Sequence, residues 1–269
     1  MQSKKFETSD FSFNWYQTGL EKGKPLLILH GWGSSSEVMS PIAQKLKDLR
    51  TSYMIDLPGF GLSPEPPSAW SVDDYMKAVK MFILKQFPDP NVKIDLLVHS
   101  FGARIAIKML TDKELSIRLD KIVFTGAAGL KPKRKAGYYF KKYSAKFLKF
   151  PFQLLPESLK NRGLNRLRRS KIWKKLGSSD YQQLSGVMRE SFVKTVTEFM
   201  DSYIPQIEHE VLLIWGEDDQ ATPLDQAKRL DNALSESALI VIKGAGHYAF
   251  LDQPVQFISI LRSYLESPS

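Results

Sequence analysis

Short apolar runs alternate with segments of helical periodicity along most of the chain, which predicts strands and helices in turn. Alternating aromatic residues near the start predict two short strands that turn at Ser9 and Asp10. The other predicted strands are 25–30, 51–57, 93–98, 119–125, 211–215 and 239–243. The predicted helices are 38–49, 72–87, 101–110, 224–234 and 255–265. This alternation predicts an α/β fold, with a mostly parallel central sheet flanked by helices.

One segment interrupts the alternation after the predicted strand that ends near Thr125. Residues 129–205 are rich in Lys, Arg and aromatic residues, and we expect several short helices, one opened by an S-x-x-Q capping box from Ser179 to Gln182. The segment carries 18 Lys and Arg against 5 Asp and Glu, whereas the rest of the chain carries 20 against 24. We therefore predict a core formed by residues 1–128 and 206–269, with a basic helical insertion at 129–205.

The composition excludes several classes of protein. Of the 269 residues, 43% are hydrophobic and 25% are charged, which is typical of a globular protein with a buried core. Cysteine is absent, which excludes disulfides, thiolate metal sites and cysteine nucleophiles. No apolar run approaches the ~20 residues of a membrane span, and the first residues lead into no apolar secretory region. A cytoplasmic location is expected.

A candidate nucleophile lies where a predicted strand meets a predicted helix. Ligands bind at the carboxyl ends of the strands in parallel sheets, and Ser100 follows the strand at 93–98 and precedes the helix at 101–110. A serine on such a tight turn exposes its hydroxyl, with the helix N-terminus behind it. The turn requires small flanking residues: Gly102 meets this requirement, whereas Val98 stands where G-x-S-x-G has its first glycine. The alternative is that Ser100 only caps the helix.

A candidate base and a candidate orienting acid follow two later strands. His247 follows the strand at 239–243 through a glycine-rich loop, and histidine has the reference pKa, ~6.5, that suits a general base for a serine. Asp218 and Asp219 follow the strand at 211–215, where a carboxylate can accept the second ring proton of the histidine. The alternatives are a hydrogen-bonded loop histidine and carboxylates that serve a turn or a helix cap.

Acyl transfer also needs hydrogen-bond donors for the developing oxyanion. The backbone N–H of Phe101 is available at the helix start, and the N–H of Trp32 lies in a turn between two glycines that allow close approach to a ligand. His30 and His99 stand next to tight turns, where packing roles are expected, and His209 precedes a strand at the opposite edge. The histidine spacing fits no metal site and no phosphate-binding glycine motif is present, so neither a metal nor a cofactor is expected.

Five segments together resemble the α/β-hydrolase superfamily over nearly the whole chain. The segment from Leu29 to Gly33 is similar to the oxyanion loop of that family, and the segment from Asp56 to Ser63 to its D-x-P-G-x-G-x-S motif. The other three are the elbow from His99 to Gly102, the W-G-x-x-D-x-x-x-P pattern from Trp215 to Pro223 and the loop from Gly244 to His247.

The resemblance implies a serine hydrolase with the chain order Ser100, Asp219, His247, and it selects Asp219 over Asp218. It also implies that the insertion at 129–205 is a cap over the active site. We expect cleavage of a carboxylic ester or thioester through an acyl-enzyme. The alternatives on the same triad are hydrolysis of a carbon–carbon bond and a lyase reaction like that of menaquinone-pathway synthases. An alternative of another class is a non-catalytic module whose basic cap binds an anionic partner or a membrane.

The positive charge of the insertion, together with Arg104, indicates which substrates and partners the protein could bind. Phe140, Tyr143, Phe147 and Phe150 fall on one helical face with lysines on the other, and a second basic cluster runs from Arg162 to Lys175. This charge fits a small acyl substrate that is amphiphilic or anionic, and it also fits peripheral contact with anionic lipid. A solvated lysine face is the commoner explanation of such a pattern. Arg104 could hold a substrate carboxylate, but a packing or surface role is the simpler expectation. Nucleic acid is disfavoured because no recognised binding module is present.

Overall fold

The computed structural model describes residues 2–133, 184 and 186–268. Eight strands form one sheet in the order β1-β2-β4-β3-β5-β6-β7-β8, in which β2 pairs antiparallel with both β1 and β4 and all other neighbouring strands pair parallel. The strands are β1 Ser3–Glu7, β2 Ser12–Thr18, β3 Pro25–Leu29, β4 Thr51–Ile55, β5 Ile94–His99, β6 Leu119–Thr125, β7 Val211–Gly216 and β8 Ser237–Ile242. The predicted α/β architecture with a mostly parallel central sheet is confirmed.

The helices lie between the parallel strands, as the alternation predicts. The described helices are α1 Ser36–Lys45, α2 Val72–Gln86, α3 Phe101–Leu110, α4 Lys113–Ser116, α5 Gly186–Thr197, α6 Leu224–Ala233, α7 Ala249–Asp252 and α8 Pro254–Glu266, with a 3₁₀ turn at Ile204–Gln206. No described helix is both long and apolar enough to cross a bilayer. Of the insertion at 129–205, the structure describes residues 129–133, 184 and 186–205, which include α5.

Two apolar layers bury the two faces of the sheet. Successive residues of β3 point to opposite sides: Leu27 and Leu29 join the layer under α2 and α3, whereas Leu26 and Ile28 join the layer under α1 and α8. This alternation follows from the two-residue period of a strand, and it explains why β3 is apolar along its whole length. The sheet is therefore a rigid base whose carboxyl-terminal edge carries the loops described next.

Candidate active site

The turn that carries Ser100 is strained. Ser100 has φ 51° and ψ −108°, and among the described residues it is the only non-glycine with positive φ. The backbone around it is held on both sides, because the N–H of Ser100 donates to Thr125 and its carbonyl accepts from Ala128. A Cβ on Gly102 would lie 2.8 Å from the carbonyl oxygen of Leu29, so the tight packing of α3 against β3 requires glycine there. Such a costly conformation persists where the surrounding structure enforces it, and it is typical of functional sites.

Val98, which stands in place of an elbow glycine, is accommodated within β5. Its side chain is fully buried in the layer that also holds Phe101 and Ala103. The sequence departure from G-x-S-x-G therefore does not prevent the strained turn.

The loops after β7 and β8 bring Asp219 and His247 together. Nδ1 of His247 lies 2.8 Å from Oδ2 of Asp219, and the imidazole is partly exposed while the carboxylate is fully buried. Because an ionised carboxylate only accepts, Nδ1 carries the proton, and Nε2 is free to accept one. Asp218, the other candidate, is exposed and has its backbone N–H bonded to Ala245.

Asp219 is held in its ionised form by its neighbours. Its Oδ1 accepts from the N–H groups of Ala221 and Thr222, both at 2.8 Å, and its Oδ2 lies 2.8 Å from the Thr222 hydroxyl. Burial by itself raises the pKa of this carboxyl, but the hydrogen bonds from His247 and Thr222 overcome that effect and lower the pKa below its ordinary value. The carboxylate can therefore stabilise a positive charge that develops on His247.

Ser100 and His247 line one cavity of about 280 Å³ at the carboxyl-terminal edge of the sheet. Its other lining residues come from the turn after β3, the end of β5, the start of α3, the segment after β6, helix α5 and the loops after β7 and β8. These are Gly31, Trp32, His99, Phe101, Arg104, Ala128, Phe192, Val196, Ala221, Thr222 and Tyr248. Seven of the thirteen lining residues are apolar or glycine, and the polar side chains include those of Ser100, His247 and Arg104.

Two candidate oxyanion donors lie at this cavity. Phe101 is the first residue of α3, where the backbone N–H has no acceptor within the helix. Trp32 lines the same cavity from the turn after β3. A Cβ on Gly31 would lie 3.1 Å from Cβ of Ser100, so glycine lets that turn approach Ser100 closely.

Two other residues considered in the sequence, Arg104 and His30, are buried. Arg104 is 7% exposed and lines the cavity, so it is not a surface arginine, and its guanidinium donates to the backbone carbonyl of Glu198. Burial lowers its pKa to about 10, which leaves it charged at neutral pH. His30 is fully buried, with Nε2 accepting from the N–H of Leu57, and burial lowers its pKa.

Phe192 and Val196 were not singled out in the sequence. They stand on α5, nearly a hundred positions after Ser100, and line the cavity, where the ring of Phe192 packs against that of Trp32. Their pattern is that of any amphipathic helix, so no local signal distinguishes them.

The predicted features of the central insertion lie outside the described residues. They are the aromatic and lysine faces around Phe140 to Phe150, the basic cluster from Arg162 to Lys175, and the capping box from Ser179 to Gln182. Within the described part of the chain, no group of three or more His, Asp or Glu side chains is arranged to hold a metal ion.

Comparison with known proteins identifies the family to which the chain belongs. The sequence profile of the alpha/beta hydrolase fold family matches residues 24–254, which is most of the chain. The chain belongs to the α/β-hydrolase family. A pimeloyl-[acyl-carrier protein] methyl ester esterase from Aliivibrio fischeri (strain MJ11) is 27% identical over 266 residues, covering 94% of this chain and 97% of the esterase.

Solved structures of other α/β-hydrolases share the fold. The esterase EaEST from Exiguobacterium antarcticum superposes with a TM-score of 0.69 at 22% identity, covering 95% of this chain and 96% of that one. A meta-cleavage product hydrolase from Pseudomonas fluorescens IP01 superposes with a TM-score of 0.66 at 19% identity, covering 94% of each chain. At these identities the likeness is one of fold.

Proposed function

We propose that this α/β-hydrolase is a serine hydrolase that cleaves a carboxylic ester or thioester through an acyl-enzyme, with Ser100 as nucleophile. The observation that carries the proposal is the 2.8 Å hydrogen bond between His247 and the buried Asp219, beside a cavity that Ser100 also lines. A serine hydroxyl is a weak nucleophile, and the arrangement supplies the base and the orienting carboxylate that it needs. The strained turn at Ser100 supports the assignment, because a helix cap alone requires no such strain.

In the proposed reaction, Oγ of Ser100 attacks the substrate carbonyl carbon while Nε2 of His247 takes the hydroxyl proton. The negative charge on the carbonyl oxygen is received by the backbone N–H groups of Trp32 and Phe101, each donor worth roughly 3 kcal/mol of transition-state stabilisation. His247 then gives its proton to the departing alkoxide or thiolate. A water molecule, deprotonated by His247, then attacks the acyl-enzyme; the bond from the acyl carbon to Oγ of Ser100 breaks, His247 returns the proton to Oγ, and the acid leaves. Asp219 stabilises the imidazolium in each half-reaction.

An ester or thioester is favoured over a carbon–carbon bond as the group that is cleaved. The relative with 27% identity over nearly the full length of both chains acts on a methyl ester, whereas the meta-cleavage hydrolase shares only the fold. Two backbone N–H donors and one imidazole are sufficient for ester cleavage. The walls of the cavity determine which acyl group can bind.

We further propose that the substrate carries an anionic group that meets Arg104. In the described part of the chain Glu198 pairs with Lys108 and Asp201 pairs with Arg229, so Arg104 enters no ion pair there. The carboxylates of Glu198 and Asp201 favour the charged form of Arg104 from a greater distance, and an anionic group of a ligand could contact its guanidinium directly. Since Arg104 lies one turn along α3 from Ser100, the anionic group would sit a few bonds from the reacting carbonyl.

Residues 129–205 are proposed to form the cap of this hydrolase. Support comes from α5, whose Phe192 and Val196 contribute to the cavity wall and whose Phe192 packs against Trp32 at a ring separation of 5.2 Å. A segment between β6 and β7 therefore covers the carboxyl-terminal edge of the sheet, where the reaction is proposed to occur.

Replacement of Ser100 tests the proposal. The expected result is that Ser100→Ala loses hydrolysis of p-nitrophenyl esters by on the order of 10⁴-fold or more in kcat, because no other group can form the acyl-enzyme. The matched control is Ser259→Ala, an exposed serine on α8, which should retain the wild-type rate. Hydrolysis by Ser100→Ala at a rate near that of the wild type would remove Ser100 from the mechanism.

A further inference from the structure

His99 connects the strand that leads to Ser100 with the loop that carries His247. It is the last residue of β5 and directly precedes Ser100, and its side chain is 1% exposed. Nε2 of His99 lies 3.1 Å from the backbone carbonyl oxygen of His247, and the two rings are 4.6 Å apart at their centroids. A carbonyl oxygen only accepts, so Nε2 of His99 carries the proton and donates it.

Neighbouring elements hold the loop that carries His247 at several points, one of which is the N–H of Asp218 donating to the carbonyl of Ala245. It contains Gly244 with φ +64° and Gly246, and His247 itself belongs to neither a strand nor a helix. The N–H of Gly246 donates to Asp252 at 2.7 Å, and the imidazole of His247 bonds to Asp219. The carbonyl of His247 is held by His99. The base is thus fixed at its side chain from the end of β7 and at its backbone from the end of β5.

The ring of His99 is kept neutral by its surroundings. Burial, and then the adjacent His247, lower its pKa to about 3, against smaller opposing effects of the hydrogen bond to His247 and of Asp219. The titratable groups that act on it are His247, Asp219 and the fully buried His30. His99 therefore adds no second positive charge beside His247 when that residue takes the proton from Ser100.

Burial of the imidazole of His99 at this position costs folding free energy. Nδ1 of His99 is buried and has no hydrogen-bond partner among the described residues, and a Cβ built on Gly31 would lie 2.9 Å from it, so there is little room for one. An apolar side chain would fill the same space without an unpaired acceptor. What an apolar side chain cannot supply is the donor to the carbonyl of His247.

We propose that His99 is a positioning residue of this hydrolase: its Nε2–H holds the backbone of His247 and so fixes the base relative to Ser100, the next residue in the chain. The inference rests on the proposed function, in which His247 accepts the proton of Ser100. A displacement of a reacting group by about 1 Å can cost on the order of 10²-fold in rate. Loss of the hydrogen bond should therefore lower kcat more than it alters substrate binding.

The test compares three variants by steady-state hydrolysis of a small p-nitrophenyl ester. His99→Leu removes the donor and should lower kcat by on the order of 10- to 100-fold, with KM within about threefold of the wild type. His99→Gln replaces the ring by an amide N–H that can reach the same carbonyl, and should restore kcat to within about threefold of the wild type.

A matched control exists at the opposite edge of the sheet. Nε2 of His209 lies 3.0 Å from the carbonyl oxygen of Ser116, and its Nδ1 is likewise buried with no partner in the part of the chain that the structure describes. His209→Leu removes the same kind of bond and should leave kcat within about twofold of the wild type. The proposal is overturned if His99→Leu keeps the wild-type kcat, if His99→Gln fails to restore it, or if His209→Leu lowers kcat equally.

Hydrogen exchange separates this inference from the proposed function. The backbone amides of residues 245–249 should exchange at least tenfold faster in His99→Leu than in the wild type, and at the wild-type rate in His99→Gln. Unchanged exchange in His99→Leu overturns the inference even if Ser100 is the nucleophile. If exchange is faster in His99→Leu but the wild-type protein hydrolyses no ester, the contact of His99 with His247 is supported and the proposed function is rejected.

Discussion

Replacement of Asp219 by asparagine isolates the charge of the orienting group from its shape. Asparagine can keep Oδ1 as the acceptor for the N–H groups of Ala221 and Thr222, each 2.8 Å away in the wild type. Its amide nitrogen then takes the place of Oδ2, which lies 2.8 Å from both the Thr222 hydroxyl and Nδ1 of His247. The hydroxyl can accept from that nitrogen, so the local structure should survive.

The substitution changes the tautomer of His247. An amide nitrogen can only donate, so Nδ1 of His247 must become an acceptor and the ring proton moves to Nε2. In that state Nε2 cannot take the proton of Ser100, and no carboxylate remains to stabilise an imidazolium. The expected loss in kcat is about 10⁴-fold, which corresponds to about 5 kcal/mol of transition-state stabilisation.

The assay is p-nitrophenyl ester hydrolysis at neutral pH, with thermal unfolding measured beside it. Asp218→Asn is the matched control, because Asp218 is adjacent, exposed and carries the same charge. It should hydrolyse the ester at the wild-type rate. If Asp219→Asn retains more than a tenth of the wild-type kcat, or if Asp218→Asn loses as much, the pairing of Asp219 with His247 does not serve catalysis.

Two more predictions concern buried ionisable side chains. Arg104→Met should lower kcat/KM for the p-nitrophenyl hemiester of a dicarboxylic acid by roughly 10- to 100-fold more than for a neutral ester of equal length. The reason is that a hydrogen bond to a charged group contributes roughly 1.5–3 kcal/mol. An equal loss on both esters would reject an anion site. The second follows from His99, whose pKa is about 3 when folded and ~6.5 when unfolded. The unfolded state binds more protons between these values, so the free energy of unfolding should fall as pH drops below 6.5, by about 2–3 kcal/mol at pH 4.5 from this residue. Urea titrations of the wild type and His99→Gln at pH 7 and 4.5 measure the difference, and equal losses in the two proteins would contradict it.

The sequence predicts the sheet and its main helices because their periodicities are strong. The limits of α3 at Phe101–Leu110 and β6 at Leu119–Thr125 are as predicted, since Ser100 and Thr111 flank the helix and Gly126 follows the strand. The helix predicted at 38–49 instead spans Ser36–Lys45, because the residues up to Leu49 continue as turns that end against β4. The short helices α4 and α7 were missed, because four residues are too few to show a period.

The candidate site was predictable as far as its residues follow strand ends. Ser100, Asp219 and His247 do, and the structure brings Asp219 rather than Asp218 to His247 because the former turns inward to accept the N–H groups of the next turn. The contact between His99 and the backbone of His247 joins residues 148 positions apart and is a tertiary contact that no local pattern encodes.

Mass-spectrometric mapping of a fluorophosphonate adduct addresses the nucleophile most directly. The reagent is attacked only by an activated hydroxyl, so the adduct should appear on the peptide that contains Ser100, and its formation should slow by orders of magnitude in His247→Ala. A protein that stays unlabelled, or an adduct that maps to another serine, would contradict the account.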